Sequence, residues 1–137
     1  MDRKPQLIEF SRIGNSHEGY ISVAELEGSL PFEVKRIFWT YFTPESVVRG
    51  RHAHYKTEQI LIAVSGKIIV TTQSASNPPE TETFVLESPN LGVYIPPDYW
   101  HTMQYSHSAV QLVLASTQYD ENDYIRSFDD FSKIYGS

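Results

Sequence analysis

Short runs of β-branched and aromatic residues, each broken after a few positions by turn residues, constrain this chain more than any other feature. The candidate strands are 7–10, 20–26, 32–42, 47–53, 59–64, 67–72, 82–86, 92–95, 102–105 and 110–115. Val, Ile, Phe, Tyr, Trp and Thr dominate them, as a pleated, half-buried surface favours. Ile60-Leu61-Ile62-Ala63-Val64, then Ser65-Gly66-Lys67, then Ile68-Ile69-Val70 reads as a tight hairpin, with Gly66 free to take a positive φ. Further on, Pro78-Pro79 removes two ladder donors and marks a loop over 74–80. One helical pattern stands at the end. Tyr124, Phe128 and Phe131 recur at three- and four-residue spacing, predicting a short helix over 123–134 with Asp120 or Asn122 as its cap. Many strands with turns between them predict an all-β sandwich or barrel rather than βαβ units.

The 137 residues suit one domain spanning 1–137. Hydrophobic residues make up 40% and charged residues 20%, so the chain can bury a core. A net charge of −6 without a Lys/Arg cluster argues against a nucleic-acid partner, while a locally basic pocket still admits an anionic small ligand. The absence of cysteine excludes disulfides, thiolate metal sites and cysteine nucleophiles. No apolar run approaches the roughly 18 residues that span a bilayer. Residues 1–10 lack the apolar stretch of a secretory signal. The chain is expected to be soluble and cytoplasmic, with no membrane partner.

His52-Ala53-His54 is the most informative tripeptide. Alternate side chains on a strand share a face, so both imidazoles point the same way. Inside a barrel they form two adjacent acid/bases or two metal ligands. Gln59 and Gly66 follow, and later comes Pro96-Pro97-Asp98-Tyr99-Trp100-His101. Two histidines on one strand, a polar residue, a glycine turn and a proline-led third histidine resemble the two-part pattern of the cupins. Asp98 stands where a glycine is usual. The resemblance implies an all-β double-stranded β-helix, or jelly-roll barrel, with a short C-terminal helix. Gln59 occupies a position that usually holds Glu in metal-binding cupins, and a neutral amide is the weaker ligand. A metal-free acid/base site is therefore preferred; His52, His54 and His101 would be the ligands if a metal were bound.

RGRHAHYKTEQILIAVSG, LGVYIPPDYWHTM and LVLASTQYDENDYIRSFDDF carry a narrower resemblance, to the sugar 3,4-ketoisomerases, also called WxcM-like or FdtA-type cupins. That family implies conversion of a dTDP-linked 4-oxo-6-deoxyhexose into its 3-oxo isomer without a cofactor, supplying 3-amino sugars for surface polysaccharides. It also implies a homodimer that exchanges N-terminal strands. Carbonyl migration needs a base for the proton on carbon 3 and a group that shuttles protons between the two oxygens, with an enediolate between. The resemblance implies His54 as the base at carbon and His52 as the oxygen shuttle. Arg49 would hold the diphosphate or steady the enediolate, and Gln59 would meet a sugar hydroxyl. His101 would donate to the sugar or join the relay. Trp100, Arg36 and Tyr94 are further candidate substrate contacts.

Each has a plainer reading. Arg49 and Arg36 also suit structural ion pairs, Gln59 suits a backbone contact, and Trp100, Tyr94 and Tyr99 suit core or rim packing. His17 and His107 read as surface residues, and Asp120-Glu121-Asn122-Asp123 as a solvated helix start. Three positions depart from the family: Tyr55 replaces a lysine (Lys56 comes next), Phe38 a tyrosine, and Glu18 an arginine. They bear on nucleotide contacts and on configuration at carbon 4. The alternatives are a related nucleotide-sugar epimerase, a metal-dependent cupin oxygenase and a non-catalytic sugar-binding cupin. The epimerase chemistry would need a His–Asp dyad opposing a tyrosine, for which the sequence offers no clear equivalent.

Overall fold

The computed structural model describes residues 3–134. Its strands are β1 (Gln6–Glu9), β2 (Ser11–Asn15), β3 (Gly19–Val23), β4 (Arg36–Tyr41), β5 (Val48–His54), β6 (Gln59–Ser65), β7 (Ile68–Ser74), β8 (Thr81–Leu86), β9 (Leu91–Ile95), β10 (Tyr99–Tyr105), β11 (Val110–Ala115) and β12 (Tyr124–Ile125), followed by helix α1 (Phe128–Ser132). One five-stranded antiparallel sheet runs β1-β9-β6-β11-β4 and a second runs β12-β5-β10-β7-β8. The β2–β3 hairpin forms a separate small sheet. This is the predicted jelly-roll arrangement.

The alternation of side chains separates three cores. Along β6, Leu61 and Ala63 turn between the sheets, where they meet Val93 and Val113 from their own sheet and Ile68, Val70 and Met103 from the other. Each Val, Leu, Ile or Met among them contributes about 1.5–3 kcal/mol by leaving water. Ile60 and Ile62 turn to the opposite face, where Ile8, Phe10, Phe32 and Val34 cover them. Under α1, Phe131 packs with Ala53, Ala75 and Ile125. The apolar plug between the sheets leaves the far end of the barrel to polar residues. The hairpin expected over 60–70 is corrected: β6 pairs with β9 and β11 and β7 with β8 and β10, so the turn at Gly66 carries the chain from one sheet to the other. Gly66 does take a positive φ there, +72°, where a Cβ would lie 2.6 Å from Ala109 Cα.

Three further expectations are corrected. Residues 32–35 precede β4 instead of extending it, because Phe32 and Val34 serve as a cover over the outer face. Ser11–Asn15 is a strand whose side chains are all exposed, so it carries no alternating pattern to read. The helix starts only at Phe128, capped by Ser127, whose Oγ accepts from the Asp130 amide. Asp120 caps a separate one-turn 3-10 helix, Glu121–Asp123. Tyr124 and Ile125 pair instead with His54 and Ala53 on the edge of β5, where backbone bonds outweigh a weak helical pattern.

Candidate active site

His52 and His54 share a face by alternation and His101 is the cross-strand partner of His52, while Arg49 joins them because of a fault in one strand. On β10, His101 pairs with His52, but the next residue, Thr102, pairs with Gly50, so Arg51 is the extra residue of a β-bulge. Gly50 and Arg51 both take positive φ, +83° and +56°. In an unbroken strand Arg49 and His52 would face opposite ways. The bulge brings both onto the wall of one cavity. Gly50 is required there, since a Cβ would sit 3.0 Å from the His101 carbonyl oxygen and 3.1 Å from Met103 Sδ.

The His52 ring centroid lies 4.6 Å from that of His101 and 5.0 Å from that of His54, both edge-on. His54 and His101 stack at 5.9 Å. Tyr124 closes the group, 4.4 Å from His54 and 5.1 Å from His52. Among the described residues, the buried side-chain polar atoms that lack a hydrogen-bond partner are Arg36 Nε, His52 Nδ1, both His54 nitrogens and His101 Nε2. All belong to this cluster and its flank. Buried polar groups are ordinarily paired, so such a concentration marks a place built for chemistry or a ligand.

Burial holds all three imidazoles neutral. It lowers the pKa of His52, and it lowers His54 to about 3 with help from His52, Arg36 and Arg126. His101 falls well below its ordinary value, through burial first and then its histidine neighbours. His101 Nδ1 faces the Tyr99 carbonyl at 3.1 Å. A carbonyl only accepts, so the proton sits on Nδ1 and Nε2 is left as an acceptor. Neutral His101 therefore presents Nε2 as a hydrogen-bond acceptor.

The cavity holds about 230 Å³ and is lined by His52, His101, Arg49, Gln59, Phe38, Tyr124 and Arg126, among others. Arg49, Gln59, His52 and His101 thus stand together as the sequence suggests. Arg36 flanks them: Nη1 donates to the Tyr124 hydroxyl at 3.5 Å, and its guanidinium lies 5.2 Å from the Phe38 ring. Two candidates are corrected. Trp100 neighbours His101 on β10 and so points to the other face, onto Phe128 at 5.3 Å and Phe131 at 5.8 Å. Tyr94 packs in the outer core and donates to Glu58 Oε1 at 2.6 Å; burial and Glu58 push its hydroxyl pKa up. His17 and His107 are exposed. Of the departures, Phe38 lines the cavity, Tyr55 is exposed, and Glu18 lies in the β2–β3 turn with its amide donating to Asn15 Oδ1.

Several site residues carry no separate sequence signal. Gln111 is a second buried amide on the wall and accepts from the Tyr105 hydroxyl at 3.3 Å. Arg126 reaches the cavity from beyond β12, its guanidinium 4.3 Å over the Tyr124 ring, while binding Glu121 through Nε at 2.6 Å and Nη2 at 2.9 Å. Arg126 and the Tyr119 hydroxyl hold the Glu121 carboxyl down to about 2. The acidic run is not wholly solvated either. Asp123 is buried and accepts from the Lys56 amide at 2.8 Å, the Thr57 amide at 3.1 Å and the Thr57 hydroxyl. Its Oδ2 lies 3.4 Å from His54 Nδ1.

One ring nitrogen from each histidine lies within 4.8 Å of the others, a donor set that a zinc or similar borderline cation accepts. The same arrangement, with neutral imidazoles, arginines and buried amides around one cavity, equally suits proton transfer on an anionic, hydroxyl-bearing substrate.

A family model described as "FdtA: WxcM-like, C-terminal" matches residues 3–136. The chain is 36% identical over 129 residues to a TDP-4-oxo-6-deoxy-alpha-D-glucose-3,4-oxoisomerase from Aneurinibacillus thermoaerophilus, covering 93% of this chain and 90% of the relative. A 3,4-ketoisomerase from Helicobacter canadensis superposes with a TM-score of 0.89 at 32% identity, covering 97% of this chain and 98% of that one. A His-to-Asn variant of the 3,4-ketoisomerase QdtA from Thermoanaerobacterium thermosaccharolyticum, in complex with TDP-4-keto-6-deoxyglucose, superposes with a TM-score of 0.88 at 32% identity, covering 96% and 94%.

Proposed function

The chain belongs to the FdtA family of WxcM-like C-terminal domains, and we propose from that premise and the site geometry that it is an isomerase converting a dTDP-linked 4-oxo-6-deoxyhexose into its 3-oxo isomer. The observation that carries this reading is the set of unpartnered, neutral ring nitrogens of His52, His54 and His101 beside a cavity flanked by Arg36, Arg49 and Arg126. A neutral imidazole can take a proton, which the reaction requires first.

His54 takes the proton from carbon 3. The resulting enediolate spreads its charge over two oxygens, which the arginines and buried amides stabilise. His52 moves the oxygen-bound proton from the hydroxyl at carbon 3 to the oxygen at carbon 4; the imidazolium of His54, its proton exchanged with solvent, then protonates carbon 4, which completes the isomer and regenerates the neutral base. His101 Nε2 and Gln59 orient sugar hydroxyls. Arg49 and Arg126 take the diphosphate, because guanidinium groups donate in a fixed fork.

The 3-oxo product suits amine transfer to carbon 3, and hence deoxysugar and polysaccharide synthesis. No helix among the described residues is long and apolar enough to cross a membrane; we assign the reaction to the cytoplasm. The working form is a homodimer. The β2–β3 hairpin exposes Ile13, Tyr20 and Ile21, and a groove of about 600 Å³ lined by Phe10, Ile62, Leu112 and Leu114 lies beside it. Light scattering at micromolar concentration is expected to give twice the chain mass; a monomer would overturn the dimer.

Proton NMR of chelator-treated protein with dTDP-4-oxo-6-deoxyglucose in deuterated buffer tests the activity. The expected result is a 3-oxo sugar carrying deuterium at carbon 4. Binding without conversion would overturn the isomerase assignment for this sugar.

A further inference from the structure

Carbon is a reluctant acid, and the imidazole proposed to deprotonate it is deeply buried. His54 is 2% exposed and packed among His52, His101 and Tyr124. Such surroundings favour a neutral ring, yet turnover requires the ring to hold a second proton briefly. That state needs a counter-charge close by. One carboxylate answers the requirement. Asp123 is also buried, and its Oδ2 stands 3.4 Å from His54 Nδ1.

The backbone holds this carboxylate in place. The Asp123 carbonyl accepts from the Tyr55 amide at 3.0 Å, and its side chain accepts from the Lys56 and Thr57 amides and the Thr57 hydroxyl. The residues that follow His54 therefore fold back around the group that faces its ring. Register completes the arrangement, since Tyr124, the next residue after Asp123, pairs directly with His54.

We propose that Asp123 is a positioning residue for the isomerisation: its carboxylate fixes the proton of neutral His54 on Nδ1, turns Nε2 toward the substrate, and stabilises the imidazolium formed in turnover. The inference rests on the reading of His54 as a proton-transfer group. The orientation follows from ordinary imidazole chemistry, in which the partner of one ring nitrogen sets the state of the other. Wrong-tautomer variants of comparable dyads lose most of their turnover while keeping their geometry. Asp123 also braces the β5–β6 turn, so a test must separate the two duties.

Three variants and two readouts do so. Asp123→Asn is expected to lower kcat about 10²-fold or more, with the KM for dTDP-4-oxo-6-deoxyglucose and the Kd for TDP changed less than about threefold. Asp123→Glu, which keeps the carboxylate, is expected to recover part of the loss. Thr57→Val removes one brace and leaves the carboxylate, so it lowers the melting temperature while keeping kcat. Nitrogen-15 NMR of the histidine rings, without substrate, is expected to show Nδ1–H for His54 in the wild type and a changed tautomer population in Asp123→Asn. Equal kcat losses in Thr57→Val and Asp123→Asn would reduce Asp123 to a brace and overturn the proposal. So would a wild-type Nε2–H tautomer, which decides the matter even if Asp123→Asn does not fold. If the wild type fails to isomerise the sugar, the isomerase reading falls, while the tautomer result still stands or fails by itself.

Discussion

His52 and His101 meet ring to ring at 4.6 Å as cross-strand partners, and Arg49 shares their cavity because Arg51 is bulged out of register between Arg49 and His52. The bulge depends on Gly50 at φ +83° against the His101 carbonyl. Gly50→Ala is therefore expected to destabilise the fold by about 1–2 kcal/mol, since a Cβ is strained at that φ and must push the neighbouring strand. It should also lower kcat, because Arg49 and His52 rotate relative to one another. A denaturant midpoint and a turnover rate equal to wild type would show that the bulge does not set the site.

Replacing either member of the histidine pair should separate chemistry from folding. His54→Asn is expected to abolish measurable isomerisation, and His52→Asn to slow it by about 10²- to 10⁴-fold. Removing His54 takes away the ring that faces Asp123, but that carboxylate keeps the Lys56 and Thr57 amides and the Thr57 hydroxyl as donors, so the fold should survive. Both variants should keep the wild-type circular dichroism spectrum and bind TDP. Wild-type turnover in either would remove its proposed role.

What the sequence makes legible follows the range over which each signal acts. The β5 histidines are readable because strand alternation is local, and His101 because Pro96-Pro97 marks the start of its motif. The strands of the two large sheets show as β-rich runs wherever one face is buried. Strand β2 has no buried face, and so no pattern. Trp100 is misplaced only if the alternation that turns His101 inward is not carried one residue back. Asp123, Tyr124 and Arg126 lie beyond sequence reasoning for a different reason. Their roles arise from the pairing of β12 with β5, a contact across some seventy residues of chain (Tyr124 with His54), whereas their own neighbourhood reads as a capped helix.

The buried neutral histidines should make stability depend on pH in the mildly acidic range. An unfolded histidine binds a proton near pH 6.5, whereas folded His54 does so only near 3 and His101 well below its ordinary value. Below about pH 6.5 the unfolded chain thus holds more protons than the folded one, and stability falls as pH falls. The limiting slope is about 1.4 kcal/mol per pH unit for each such histidine. The melting temperature is expected to drop between pH 7 and pH 5, and to drop less in His54→Asn. A flat profile in the wild type over that window would mean that the cluster is not kept neutral by burial.

Arg126 offers a test of how the anionic end of the substrate is held. Its guanidinium lines the cavity and is forked onto the exposed Glu121 carboxylate. An exposed ion pair adds little stability, so the guanidinium can exchange that carboxylate for a diphosphate at small cost. Arg126→Gln is expected to weaken TDP binding about tenfold, since charge-assisted bonds to phosphate are among the stronger hydrogen bonds. The chemical step should change little, so KM rises more than kcat falls. Glu121→Gln removes the competing carboxylate and should tighten TDP binding modestly. Calorimetric titration with TDP at two salt concentrations checks both variants. The wild-type affinity should fall with salt, and that dependence should shrink in Arg126→Gln. Equal affinities in wild type and Arg126→Gln would place the diphosphate elsewhere, with Arg36 and Arg49 the next groups to replace.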